Sequence, residues 1–208
     1  MKQEFLSDRV FVYTDGAVTF GQDALALARF CNAAPADVAA DLGTGSGVIP
    51  LLWAAENTLP RQTLAVDRLA PAVALATRAV EENHLADRIR VVDSDWNTLP
   101  ATLDGTATLL SCNPPYFKQH GGKISPDPAR AAARTEEDDT ALPRLMQTAA
   151  RLLSKNGRFC FCMRPERQED VKTALANASL FIETKTALVH ESGEEWLTLF
   201  CAKRRNDG

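Results

Sequence analysis

Four consecutive residues, Asn113-Pro114-Pro115-Tyr116, carry the most specific chemistry in the chain. Two prolines remove two backbone donors and hold the turn in one shape. Asn113 offers an amide oxygen, Pro114 a carbonyl and Tyr116 a ring for stacking. That set suits a planar amine. The lone pair of an aromatic or amide NH2 is delocalised into the π-system, which makes the nitrogen a poor nucleophile. Two acceptors drawing on its N–H bonds favour the pyramidal form and return electron density to nitrogen. Proximity and orientation then supply most of the rate, and no strong general base is needed before transfer. A purely structural Pro-Pro turn is the plainer explanation, and the flanking Asn and Tyr argue against it.

A second motif, Asp41-Leu42-Gly43-Thr44-Gly45-Ser46-Gly47, follows an apolar run and opens a helical one. Three glycines let the backbone turn tightly and approach a ligand where a Cβ would collide. A dinucleotide site expects G-x-G-x-x-G, with a helix start holding the pyrophosphate. Here the spacing is G-x-G-x-G behind a carboxylate, which favours a cationic ligand over a diphosphate. S-adenosylmethionine (SAM), with an ammonium, a sulfonium and no phosphate, meets that description. Asp67, 20 residues beyond Gly47, stands where an acidic residue commonly accepts from ribose hydroxyls. Asp95, in Val92-Asp93-Ser94-Asp95-Trp96, is placed to accept from an adenine amine. Asp93 and simple turn capping compete for that explanation.

These motifs need elements that bring them together. Short apolar runs at Val38–Asp41, Thr63–Val66, Ile89–Val92, Ala107–Ser111 and Arg158–Met163 read as strands, and Phe181–His190 with Trp196–Ala202 as a closing pair. Helical spacing recurs at Asp23–Cys31, Val48–Ala55, Pro71 to Val80, Leu145 to Leu153 (stopped by Asn156-Gly157) and Val171–Ala178. Strands alternating with helices imply βαβ units and a mainly parallel sheet covered on both faces. Ligands bind such sheets beyond the carboxyl ends of the strands, where the strand order reverses. Each motif lies just after a strand. The segment from Tyr116 to Asp139 is long, polar and without periodicity, as functional loops often are.

Composition removes several other classes. No stretch is long and apolar enough for a membrane span, and the amino terminus has no apolar run after its lysine, so a cytosolic protein is expected. Five cysteines then read as reduced thiols. Cys160 and Cys162 fall on one face of a strand and are expected to be buried. Metal binding would need two more ligands at sensible spacing, so no metal is expected. Trp53 and Trp196 belong with the core. A net charge of −4 excludes a uniformly basic coat but not a local patch. Lys118, Lys123, Arg130 and Arg134 form such a patch directly after the proline turn.

Taken together, DLGTGSG, VD, SDW and NPPY resemble the class I SAM-dependent methyltransferases that carry the amino-group signature (N/D/S)-P-P-(Y/F). Members of that group act on adenine N6, cytosine N4, guanine N2 or the glutamine amide of release factors. Within it, the chain is similar to the bacterial enzymes that methylate N6 of adenosine 37 in valine tRNA. Phe20-Gly21-Gln22-Asp23-Ala24 before the first core strand and Ala133-Arg134-Thr135-Glu136 after NPPYF support this, and the likeness covers residues 8–202. It implies a Rossmann-like domain over 35–208, with a mixed, mostly parallel seven-stranded sheet and helices on both faces, preceded by an extension over 1–34.

The resemblance also implies roles. Asn113, Pro114 and Tyr116 would form the target-base pocket. Asp41, Gly43, Thr44, Gly45, Gly47, Asp67, Arg68, Asp95, Trp96 and Asn113 would hold SAM. Phe117, Lys118, Lys123, Arg130 and Arg134 would meet a tRNA or other RNA substrate. Phe20 and Asp23 are placed to help close the cofactor site. Other expectations are glutamine methylation of a release factor, methylation of rRNA or DNA bases, and an inactive SAM-binding module. Only about 37 residues precede the first core strand, too few for the helical domain usual in release-factor enzymes. DNA enzymes usually need a target-recognition domain, for which there is no room. The intact NPPY argues against the inactive module, and the sequence leaves the oligomeric state open.

Overall fold

The computed structural model describes residues 1–114 and 140–205. Strands β3 (Val38–Leu42), β4 (Gln62–Asp67), β5 (Ile89–Asp93) and β6 (Ala107–Cys112) pair in parallel, with helices α2 (Val48–Ala55) and α3 (Ala70–Glu82) between the first three. Helix α1 (Gln22–Phe30) precedes them, and α4 (Ala141–Leu152), β7 (Leu153–Met163), α5 (Gln168–Asn177), β8 (Leu180–Val189) and β9 (Glu195–Arg204) follow. The sheet order is β5-β4-β3-β6-β7-β9-β8. β9 runs against both of its neighbours, so it alone reverses direction. The expected mixed, mostly parallel seven-stranded sheet is therefore present.

Alternation along each strand sorts side chains onto two cores. Ala39, Ala65, Leu109, Cys160 and Cys162 face one side, where Leu27 of α1 and Leu51 and Trp53 of α2 pack. Ala40, Val66, Leu110, Phe159 and Phe161 face the other, under Leu145 and Met146 of α4 and Val171 of α5. Trp53 is 1% exposed and its indole N–H donates to the Ala28 carbonyl at 2.9 Å, which joins α2 to α1. Trp196 packs partly buried against the same side. All five cysteines are buried and reduced.

Two elements differ from the sequence reading. Helix α4 ends at Leu152, and Asn156-Gly157 lies inside β7 rather than stopping the helix. Leu153 pairs with Ala107 and Arg158 with Leu109, so the extra residues form a bulge. Gly157 makes room for it, since a Cβ there would stand 2.6 Å from the Ala107 carbonyl oxygen. The second difference is an amino-terminal hairpin, β1 (Lys2–Phe5) and β2 (Phe11–Thr14), too short and charged to show a clear period. It is held by α3. Asn83 accepts from the Phe11 N–H at 3.1 Å and donates to the Phe11 carbonyl at 2.8 Å, while the Tyr13 hydroxyl donates to Glu82 at 2.6 Å.

Candidate active site

From β3 the chain moves outward through β4 and β5, then returns to place β6 on the other side of β3. A crevice forms at the carboxyl edge of a parallel sheet where the order reverses in this way. Asp41 and Ser111 are paired positions on the two strands that flank it. Asp41 is 1% exposed; its Oδ2 accepts from the Thr44 hydroxyl and its Oδ1 from the Ser111 hydroxyl, each at 2.7 Å. Burial pushes its carboxyl up to about 6 against the pull of both hydrogen bonds, and the nearby Asp67 carboxylate adds to the rise.

The glycine turn is pinned from below and open above. The N–H groups of Gly43 and Thr44 donate to the Val66 carbonyl at 2.8 and 2.9 Å, which fastens the turn to the end of β4. Gly43, Gly45 and Gly47 have φ of +74°, +58° and +79°, where any side chain is strained. A Cβ on Gly43 or Gly45 would meet nothing within 4 Å, so the turn presents bare backbone to open space. A Cβ on Gly47 would sit 3.4 Å from that of Ala76, so there the glycine serves helix packing. The Ser46 hydroxyl is buried without a hydrogen-bond partner among the described residues.

Asp67 closes β4 beside the turn, its Oδ2 accepting from the Gly45 N–H at 2.8 Å and its Oδ1 from the Leu69 N–H at 2.9 Å. Each oxygen keeps a second lone pair for a hydroxyl donor. Asp95 caps the short 3-10 turn Trp96–Thr98, accepting from the Asn97 N–H at 2.8 Å and the Asn97 side-chain amide at 2.9 Å. The Arg68 guanidinium lies 3.7 Å from its other oxygen. Turn capping is thus real at Asp95, and it leaves the carboxylate anchored rather than mobile. Trp96 packs against the core on the α4 side of the sheet.

Asn113 stands just past β6, with buried Pro114 beside it. Its Nδ2 donates to Asp23 Oδ2 at 3.1 Å, and its Oδ1 accepts from the Cys162 thiol at 3.1 Å. Asp23 lies in the first turn of α1 and Cys162 near the end of β7. The sequence reading placed Asp23 at this side of the site but not against Asn113, and it gave Cys162 only a packing role. An acid after Gly21 at a helix start was a signal for Asp23; nothing in the sequence pointed to Cys162. Pro115, Tyr116, Phe117, Lys118, Lys123, Arg130 and Arg134 lie outside the described residues.

A cavity of about 390 Å³ opens at the opposite edge, lined by Val38, Gln62, Thr63, Arg88 and Ala107 among others. It belongs to the amino ends of the strands and includes none of the motif residues. Among the described residues no group of three or more His, Cys, Asp or Glu could hold a metal ion. No described helix is long and apolar enough to cross a membrane.

A glycine turn after the first core strand, acids ending the next strands and one reversed strand near the far edge make this a Rossmann-like methyltransferase fold. The crystal structure of TrmN from Thermus thermophilus shares it, with a TM-score of 0.64 at 22% identity, over 88% of this chain and 48% of that one. Residues 6–188 match the model of the methyltransferase small domain, and the chain belongs to that family. The tRNA1(Val) (adenine(37)-N6)-methyltransferase of Tolumonas auensis is 34% identical over 164 residues, which is 78% of this chain and 65% of the relative. The release factor glutamine methyltransferase of Shewanella oneidensis is 34% identical over 122 residues, 56% of this chain and 41% of that protein. The chain therefore spans just under two thirds of the first relative's length and about two fifths of the second's.

Proposed function

We propose that this protein transfers a methyl group from SAM to an exocyclic amine, with adenine N6 in tRNA as the substrate. The observation that carries this is the placement of the Asn113 amide at the end of β6, beside the bare glycine turn that follows β3. The residues present suit SAM. Gly43 and Gly45 offer a backbone surface that any Cβ would obstruct, Asp67 offers lone pairs to a ribose diol, and Asp95 offers an acceptor to the adenine amine. Asp41 supports the turn through Thr44 and contributes negative potential beneath it. When bound, SAM supplies an electrophilic methyl group on a sulfonium.

Everything else falls to the chain. Asn113 Oδ1 accepts one N–H of the target amine, and the Pro114 carbonyl accepts the other, which draws the lone pair out of conjugation and onto nitrogen. Holding that nitrogen in place lowers the barrier mainly through orientation. An anticodon-loop base must leave its stack to reach the site, at a cost of a few kcal/mol. Stacking on Tyr116 returns roughly 1–3 kcal/mol of this, and the basic residues from Lys118 to Arg134 hold phosphates. A tRNA substrate also sets the work in the cytoplasm.

The test is methyl transfer from labelled SAM to total tRNA, with nucleoside mass spectrometry of the product. Asn113→Ala should lower kcat by about 10²–10³-fold even at saturating SAM. The likeness to the release factor enzyme supports one second reading, transfer to a glutamine amide. Label in protein and none in tRNA would select it. SAM binding without any transfer would overturn both.

A further inference from the structure

Asn113 is an amide held by two neighbours of opposite character. Asp23 can only accept from it, and the Cys162 thiol donates to it, each at 3.1 Å. Turning the amide over would set Oδ1 against a carboxylate oxygen, so one orientation is strongly preferred. In that orientation Oδ1 accepts from the thiol, and an amide oxygen can accept more than one hydrogen bond. A carboxylate accepting from Nδ2 also favours the resonance form with more negative charge on Oδ1. The two effects act together: Asp23 fixes which atom faces the amine and strengthens it as an acceptor.

Local structure is arranged to keep the carboxylate there. Asp23 sits in the first turn of α1, whose N-cap is Gly21 in extended backbone. A Cβ at Gly21 would stand 2.6 Å from Asp23 Oδ1, so the glycine leaves room for this side chain. The span between Asp23 and Asn113 is 90 residues of sequence, bridged because α1 packs on the same face of the sheet as Cys162.

We infer that Asp23 is a positioning residue for the transfer step, acting through the Asn113 amide, and that Cys162 completes the amide's fixed orientation. This rests on the reading of Asn113 as the group that grips the amine.

The experiment measures kcat on total tRNA, SAM affinity by calorimetry and thermal stability for wild type, Asn113→Ala, Asp23→Asn, Gly21→Ala and Asp23→Asn combined with Asn113→Ala. Loss of transfer in Asn113→Ala establishes the underlying reading; wild-type rates there would sink that reading and the inference together. With it established, Asp23→Asn should lower kcat about 10- to 100-fold, leave SAM affinity near wild type, and add nothing to the residual rate of Asn113→Ala. Unchanged kcat, a loss confined to SAM affinity, or losses that multiply in the double variant would overturn the inference alone. Gly21→Ala keeps the carboxylate but displaces it. It should show a smaller kcat loss with normal SAM affinity; Asp23→Ala stands in should Asp23→Asn fail to fold, and a wild-type kcat in that variant would refute the role.

Discussion

Asp41→Asn removes a carboxyl whose protonated form the fold favours. The side chain is 1% exposed between the Thr44 and Ser111 hydroxyls, and burial raises it from 3.8 to about 6. At about 1.4 kcal/mol per pH unit, that rise corresponds to about 3 kcal/mol. The sign follows from proton counting. Well below 3.8 the group is protonated in folded and unfolded chains alike and contributes no pH dependence. As pH rises, the unfolded chain releases its proton first while the folded protein holds on until about 6. Stability is therefore lost through that window and stays lower above it. Asparagine has no proton to lose.

Urea unfolding of both proteins in matched buffers from pH 4 to 7.5 should show the variant gaining about 2 kcal/mol on wild type as pH rises, whatever its fixed offset, part of the whole already being lost at pH 4. Asp37 works the other way. Burial pushes it up, but hydrogen bonds from Arg158 and Thr108 and the Arg158 charge outweigh burial and hold it below its usual value. Its contribution fades as pH falls in both proteins, so it cancels in the difference. Parallel curves, or a variant losing ground as pH rises, would refute the account of Asp41 as a charge held in the dry base of the site.

Gly45→Ala places a side chain at φ +58° over the open turn. It should cost about 1–2 kcal/mol of stability by thermal unfolding. SAM affinity should fall by at least ~10-fold in calorimetry, and normal affinity would show that the ligand does not lie on the turn. Phe161 is fully buried, with ring centroids 4.9 Å from Phe159 and 5.1 Å from Phe200. Phe161→Ala should cost about 3–5 kcal/mol in urea unfolding, and a loss below about 1 would mean the stack is slack.

The core strands and helices were readable because periodicity of two or 3.6 tracks burial, and the strands from β3 to β9 lie over their apolar runs, with β7 alone beginning well before its own. The Asn156-Gly157 signal misled because a helix stop and a strand bulge ask for the same residues. Only the pairing of Leu153 with Ala107 decided between them. The β1–β2 hairpin carried no clear pattern because its partner surface is α3, more than 60 residues away in sequence.

For the site, residue types and local spacing set the chemistry. A glycine turn after a strand, acids at the ends of the next two and Asn-Pro before a second proline are local features, and local geometry suffices to state what they can bind. The surroundings of each group came from the tertiary structure. Asp41 is dry because Ser111 of β6 closes over it, and Asn113 has one orientation because Asp23 and Cys162 approach it from α1 and β7. Burial and hydrogen-bond direction depend on atoms far apart in the chain, and folding brings those atoms within 3.1 Å of the amide.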